Sequence, residues 1–542
     1  MPKLSARTMP ALCTRKCNPF MSQKHDPSGV RLLKKWQKGF WNLLFSRMLL
    51  VIPLLLLQFG ILFSMFSWLE EFLPHILGGQ FLLTAGMVLC LLNSAMEPTA
   101  KTSWLVLIMA TPVFGSLLYL FSRKEFGHRA MRKRVRDLTE QTTPLLSQSQ
   151  EVGAAFQRLC PGAAAMAQYV RRNGGYPVYR NTEVTYFPVG EEKFRRLLEE
   201  LEHAKHFIYL EYFIIEEGTM WGQILEILIR KAAEGVDVRV IYDGTCEFML
   251  LPKGYPEKLA SFGIRCKVFS PFIPLVSTHY NYRDHRKILV IDGHTAFNGG
   301  INLADEYINA KQKFGHWKDT AVMLKGEAVQ SFTLMFLRTW NLDEKQPEFP
   351  TIEAPLTPYA SGFVMPYADC PLDNSHLGKR VYLDLLSRAK HSLDIMTPYL
   401  ILDAELEEAL KYAAGRGVRL RLILPGIPDK KIPYALAKTY YSALLEAGVE
   451  IYEYTPGFVH AKVFLCDQLE AVVGTINLDY RSLAHHFECG TYLYGTDCLN
   501  KIQQDFNDTL EKCRRIEKPD LKKIKWTTRL LGKLCKPFAP LL

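Results

Sequence analysis

The tightest constraint on this chain is a motif that occurs twice. His285-Arg-Lys-Ile-Leu-Val-Ile-Asp and His460-Ala-Lys-Val-Phe-Leu-Cys-Asp both read H-x-K-x-x-x-x-D. Behind them, Gly-Gly-Ile-Asn302 and Gly-Thr-Ile-Asn477 place an Asn at the same distance from each His. One such match is a weak signal, but a second copy with the same downstream Gly-x-x-Asn leaves coincidence a poor account. Both motifs carry a short apolar run, Ile288 to Ile291 and Val463 to Cys466, that reads as a strand ending in a turn. Residues i and i+2 of a strand share a face, so a strand regular through the motif would present His285 with Lys287 and His460 with Lys462 together. Asp292 and Asp467 have the opposite parity and fall at the strand end. They are expected to support and orient the site without touching the reacting atom first.

The repetition extends upstream. His206-Phe-Ile-Tyr-Leu-Glu-Tyr has a counterpart in His391-Ser-Leu-Asp-Ile-Met-Thr, and Gly235-Val-Asp-Val-Arg-Val-Ile in Gly417-Val-Arg-Leu-Arg-Leu-Ile. Phe262-Gly-Ile-Arg-Cys-Lys-Val likewise matches Ala447-Gly-Val-Glu-Ile-Tyr-Glu. Strand and helix alternating in one order, twice, predicts two tandem α/β units over 176–350 and 351–511, each closing on its own motif.

The rest of the chain suits an anionic surface. Its net charge is +11 with a pI near 8.9. Residues 1–43 form a basic arm without a secretory signal. Three apolar runs follow, Met48 to Leu69, Phe72 to Asn93 and Ser103 to Phe121, so 44–122 is expected to hold two or three membrane helices. Residues 123–175 read as a basic linker. The cluster from Lys124 to Arg134 places it, by the positive-inside rule, on the cytoplasmic side. The tail, 512–542, sets basic residues around Trp526, Leu530, Leu531, Leu534 and Phe538, as in a helix lying on an anionic bilayer or one packed on the protein with a solvated basic face. The cysteines show no CxxC pair and read as reduced thiols of a cytosol-facing protein. No carboxylate pair suits a metal and no Gly-rich loop precedes a helix, so no metal and no cofactor are expected. Two His, two Lys and two Asn brought together suit phosphodiester transfer. One imidazole attacks phosphorus, the other protonates the leaving alkoxide, and the Lys and Asn donors hold the phosphoryl oxygens.

On these residues the chain resembles the phospholipase D superfamily, named for its paired HKD motifs, and within it bacterial cardiolipin synthases. The likeness runs from about residue 75 to the C-terminus. It includes Lys101-Thr-Ser-Trp, Asn298-Gly-Gly-Ile-Asn-Leu-Ala-Asp-Glu-Tyr, Gly474-Thr-Ile-Asn-Leu-Asp-Tyr-Arg-Ser and Phe487-Glu488. The resemblance implies two phospholipase D-like α/β/α domains packed face to face behind N-terminal transmembrane helices. It implies condensation of two phosphatidylglycerols into cardiolipin and glycerol through a phosphatidyl-histidine, in the bacterial cell membrane, with anionic lipids as partners and no nucleic acid. His285 would be the nucleophile and His460 the acid/base. Lys287, Lys462, Asn302 and Asn477 would hold the phosphate, and Asp292, Asp467 and Glu488 would orient or tune the His residues. A serine-accepting synthase or a hydrolytic phospholipase D carries the same motifs. The sequence sets no oligomeric state.

Overall fold

The computed structural model describes residues 56, 57, 60 and 73–541, apart from 95, 124–125, 272–281, 351–359 and 374. The basic arm and nearly all of the run from Met48 to Leu69 lie outside the described residues.

The two units form the same sheet. The first contains β1 (Thr182–Phe187), β2 (Phe207–Tyr212), β3 (Asp237–Asp243), β4 (Arg265–Phe269), β5 (Arg283–Asp284), β6 (Lys287–Ile291), β7 (Thr295–Gly299), β8 (His316–Lys318) and β9 (Ala321–Gly326). Seven of these lie side by side in the order β1-β9-β7-β6-β2-β3-β4. The second contains β10 (Phe363–Asp369), β11 (Ser392–Met396), β12 (Arg419–Pro425), β13 (Glu450–Tyr454), β14 (Gly457–Val459), β15 (Val463–Cys466), β16 (Glu470–Gly474), β17 (His486–Tyr494) and β18 (Cys513–Ile516). Their order is β10-β17-β16-β15-β11-β12-β13, with β18 added at the edge. In both halves three strands run parallel and the motif strand lies antiparallel beside the first of them.

The motif strands are apolar on both faces because both faces are covered. Ile288, Leu289, Val290 and Ile291 are each at most 1% exposed. Leu289 and Ile291 join an outer core with Ile208, Leu210, Val240 and Leu228. Ile288 and Val290 turn inward to a core shared with Val364, Val463, Val472 and Tyr492 of the second half. The halves therefore pack face to face around one apolar layer.

Two short strand pairings stitch the halves together where the site lies. β5, just before His285, runs parallel to the start of β17. β14, just before His460, runs parallel to β8. The two pairings are related as the halves are.

At the N-terminal side, helices Leu73–Leu92, Pro98–Ala110 and Pro112–Arg123 gather around Met87, Leu91, Trp104, Ile108 and Tyr119. The stretch from Ser103 to Phe121, expected as one span, is broken. Pro112 starts a new helix after Thr111, and Gly115 lets it approach closely: a Cβ there would stand 2.8 Å from the Ile108 Cα. Among the described residues no helix is long and apolar enough to cross a membrane.

The segment 123–175, expected as a basic linker running into a short helix, is helical over more of its length: Phe126–Thr142, Gln150–Leu159 and Pro161–Gly174. Ala163, Met166, Ala167 and Val170 are buried at helical spacing. Gly174 lets the end of this helix lie close to the second half, where a Cβ would stand 2.7 Å from Leu377 Cδ1. The tail helix Trp526–Cys535 packs on Lys431–Glu446 through Gly532, where a Cβ would meet the Ala435 carbonyl. Its Trp526, Leu530 and Leu534, four residues apart, remain 69, 46 and 62% exposed.

Candidate active site

Neither motif His lies within its motif strand. β6 starts at Lys287 and β15 at Val463, so His285, His460 and Lys462 all precede the regular ladder. The reason is that each His is held by the opposite half. The His285 backbone N–H donates to the Phe487 carbonyl (2.9 Å), and that of His460 donates to the Lys318 carbonyl (2.7 Å). The residue after each of those carbonyls is an acid, and it takes the ring. His285 Nδ1 lies 2.9 Å from Glu488 Oε1 and 3.0 Å from Oε2. His460 Nδ1 lies 2.6 Å from Asp319 Oδ2. Each half thus supplies one imidazole and the carboxylate for the other half's imidazole.

Charge follows from burial. Both rings are buried, and burial is the main cause that pushes His460 down to about 4 and His285 well below its ordinary range. Burial alone would raise the acids, but His460 and Lys462 hold Asp319 below the usual carboxylate range. His285 and His486 do the same for Glu488. Each pair is therefore a neutral imidazole donating from Nδ1 to an ionised carboxylate, which leaves the Nε2 lone pair directed away from it.

The lysines are buried beside the same rings. Burial chiefly lowers Lys287 to about 8 and Lys462 to about 7, and Lys287 further depresses both Lys462 and His460. That influence of Lys287 on the second motif ties the two motifs together electrostatically. Lys462 Nζ lies 2.8 and 3.0 Å from the two ring nitrogens of His460. Each Lys Nζ also donates to the carbonyl of its own motif His, and Lys287 Nζ sits 5.4 Å from the Phe213 ring centroid.

The asparagines flank this centre. Asn302 Oδ1 accepts from the Ile214 N–H (3.0 Å), and its Nδ2 donates to Tyr307 Oη (2.7 Å). The Tyr307 ring stands 5.5 Å from that of His460, joining the first Asn to the second His. Asn477 Nδ2 donates to Ser482 Oγ (3.0 Å), and its buried Oδ1 has no hydrogen-bond partner.

Asp292 and Asp467 are not brought to the site. They sit at the far ends of β6 and β15, roughly 20 Å along the strand from the rings. Both adopt φ 50°. The Asp292 carboxylate accepts from the N–H groups of Lys205, His206 and Phe207, and that of Asp467 from Lys390, His391 and Ser392, at 2.7 to 2.9 Å. They tie the motif strand to the start of its parallel neighbour and do not orient the rings. Asp292→Ala or Asp467→Ala is expected to cost about 2–3 kcal/mol through the orphaned N–H groups. The thermal unfolding midpoint should fall while turnover per folded molecule is kept. Full stability with lost turnover would contradict this assignment.

Three groups at the site escaped the sequence reading. Asp319 stands three residues after His316, as Glu488 does after His485, and only aligning those short stretches reveals it. Lys193, lowered to about 7 mainly by burial, donates to Tyr212 Oη and the Ile301 carbonyl, both at 3.3 Å. It hides among Glu191, Glu192, Arg195 and Arg196, although it shares a helix face with Leu197 and Leu201. His486 lies with its ring 5.4 Å from that of His285.

Duplicated sheets with crossed imidazole–carboxylate pairs at their junction define a two-domain enzyme of the phospholipase D-like class. The family described as "Cardiolipin synthase, PLD-like domain" matches residues 197–340 and 382–510, and "Phospholipase_D-nuclease N-terminal" matches 82–124. The chain is 35% identical to cardiolipin synthase 2 of Bacillus cereus over 82% of its own length and 87% of that protein. It is 52% identical to an uncharacterized protein of Streptococcus mutans, over 84% of this chain and all of the other. Phosphatidylserine synthase of Haemophilus influenzae shares the fold, with TM-score 0.52 and 16% identity over 70% of this chain and 97% of that one. The chain belongs to the cardiolipin synthase family and is a phosphatidyltransferase.

Proposed function

We propose that the protein joins two phosphatidylglycerols, with His285 as nucleophile and His460 as acid and base. His285 Nε2 attacks the phosphorus of one phosphatidylglycerol. The bond to the headgroup glycerol breaks, and that oxygen takes a proton that the Lys462 ammonium has passed to His460 Nε2, so glycerol leaves. The glycerol hydroxyl of a second phosphatidylglycerol then gives its proton to His460 and attacks the phosphatidyl-histidine. Cardiolipin forms and His285 is restored. Lys287, Lys462, Asn302 and Asn477 face the phosphoryl oxygens, with the second amide hydrogen of each Asn available to them.

The crossed pairing carries this reading, since two oppositely wired rings at one junction of the halves suit a double displacement. The division of roles is supported by the lysines. Lys462 lies against the ring nitrogens of His460 and can feed it a proton, whereas Lys287 Nζ hydrogen-bonds the His285 carbonyl and acts on the His285 ring through its charge.

The same proposal places the protein in a bacterial cell membrane with its catalytic part on the cytoplasmic side. Phe81, Leu82, Leu89 and Met109 of the N-terminal helices are 62 to 73% exposed, and Trp526, Leu530 and Leu534 of the basic tail add a second apolar stripe.

Purified protein given phosphatidylglycerol alone, with chelator, is expected to release cardiolipin and glycerol in equal amounts. Phosphatidic acid as the main product would make the enzyme a hydrolase. A requirement for a CDP-activated donor would end the proposal.

A further inference from the structure

We propose that His285, His486 and Glu488 form a binding site for a divalent transition-metal ion such as Zn2+, and that occupancy of this site inhibits the enzyme. The inhibitory half of the proposal rests on the reading of His285 as a catalytic group; the binding half does not.

Glu488 Oε1 stands between two imidazoles, 2.9 Å from His285 Nδ1 and 3.4 Å from His486 Nδ1. The ligating atoms of all three residues lie within 4.8 Å of one another. Zinc bonds of about 2.0–2.2 Å in tetrahedral geometry set neighbouring donor atoms about 3.3 Å apart, so only small side-chain shifts complete the set. A second observation points the same way. Glu488 Oε1 and His486 Nδ1 are both buried, and neither has a well-aligned hydrogen-bond partner. Such groups carry a desolvation cost that a cation between them would relieve. Two imidazoles and one carboxylate are a donor set that zinc favours, with a fourth coordination position left for a water.

Occupancy would act on the tautomer. In the apo pairing the proton of His285 is on Nδ1 and the Nε2 lone pair is available. A metal on Nδ1 needs the lone pair of that nitrogen, so the ring proton must move to Nε2, where it blocks attack on phosphorus. Chelation reverses both changes, and no redox step is involved.

The other half of the protein provides a natural control. Trp317 precedes Asp319 by the same interval as His486 precedes Glu488. Its ring stands 5.4 Å from that of His460, matching the 5.4 Å between His486 and His285. An indole N–H is a donor only and cannot ligate a metal, so only one of the two related sites can take zinc. The fold accepts Trp at the equivalent place, which makes His486→Trp the variant of choice.

The test uses the full-length enzyme in detergent with phosphatidylglycerol, zinc chloride as the probe, and equilibrium dialysis with elemental analysis alongside the rate. The wild type is expected to bind one zinc per chain, with X-ray absorption showing two imidazole ligands and oxygen. Cardiolipin formation should fall with occupancy and return on adding chelator. His486→Trp, normalised to its own zinc-free rate, should need at least tenfold more zinc for half inhibition. His486→Phe serves if the Trp variant does not fold. Equal zinc sensitivity in these variants, or no zinc retained by the wild type, overturns the proposal. Because binding is read by metal content, it stands or falls separately from the identity of the lipid product.

Discussion

His285→Ala and His460→Ala are each expected to lower cardiolipin formation by about 10⁴-fold or more, with the protein still folded. The size follows from the division of labour: neither the first nor the second displacement can finish without both rings. The two losses should nevertheless differ in kind. With phosphatidylglycerol the departing glycerol oxygen needs a proton, so both variants fail at the first step. With a phosphatidyl p-nitrophenyl ester, the leaving group departs without an acid. His460→Ala should then release about one nitrophenol per active site in a burst and stall, holding phosphatidyl-histidine at His285. His285→Ala should show no burst. A burst in His285→Ala and none in His460→Ala would exchange the two roles, and steady turnover in either would remove the paired-imidazole mechanism.

Much of this was legible in the sequence because the duplication is written at several levels. The H-x-K motifs, the Gly-Val strands and the order of elements repeat in register, and a sheet built twice in one strand order follows from them. What stayed hidden is where the halves touch. A strand regular through the motif would have placed His285 and Lys287 on one face by parity. The structure instead lifts each His out of its own strand and hydrogen-bonds it to a strand of the other half. Local periodicity cannot report a pairing between residues as distant as Arg283 and His486. The same limit misassigned Asp292 and Asp467, whose place in the motif suggests tuning of the His, while their carboxylates serve backbone N–H groups at the opposite strand end. It also concealed Asp319, one acid among 55 Asp and Glu residues, which becomes visible only through its partner Glu488 in the repeat.

The crossed wiring has its own kinetic consequence. Asp319→Asn and Glu488→Gln are each expected to reduce turnover by about 10²–10⁴-fold, the range for disabling general acid–base chemistry. The amide is close in size to the acid it replaces, so packing changes little. What changes is the proton. A carboxylate accepts from Nδ1–H and fixes the tautomer with a free Nε2, whereas an amide can donate to Nδ1 and send the ring proton to Nε2. It also removes the negative charge that opposes burial when the ring becomes cationic. Because the acid of the first half serves the imidazole of the second, each phenotype should track the motif on the other side of the interface. Asp319→Asn should behave as a milder His460→Ala: a nearly normal nitrophenol burst followed by slow transfer to the acceptor lipid. Glu488→Gln should instead slow the burst itself, as a weakened His285 would. If Asp319→Asn slowed the burst and Glu488→Gln spared it, each acid would be acting within its own half and the pairing across the interface would have no part in catalysis. Normal rates in both variants would make the two contacts scaffolding only.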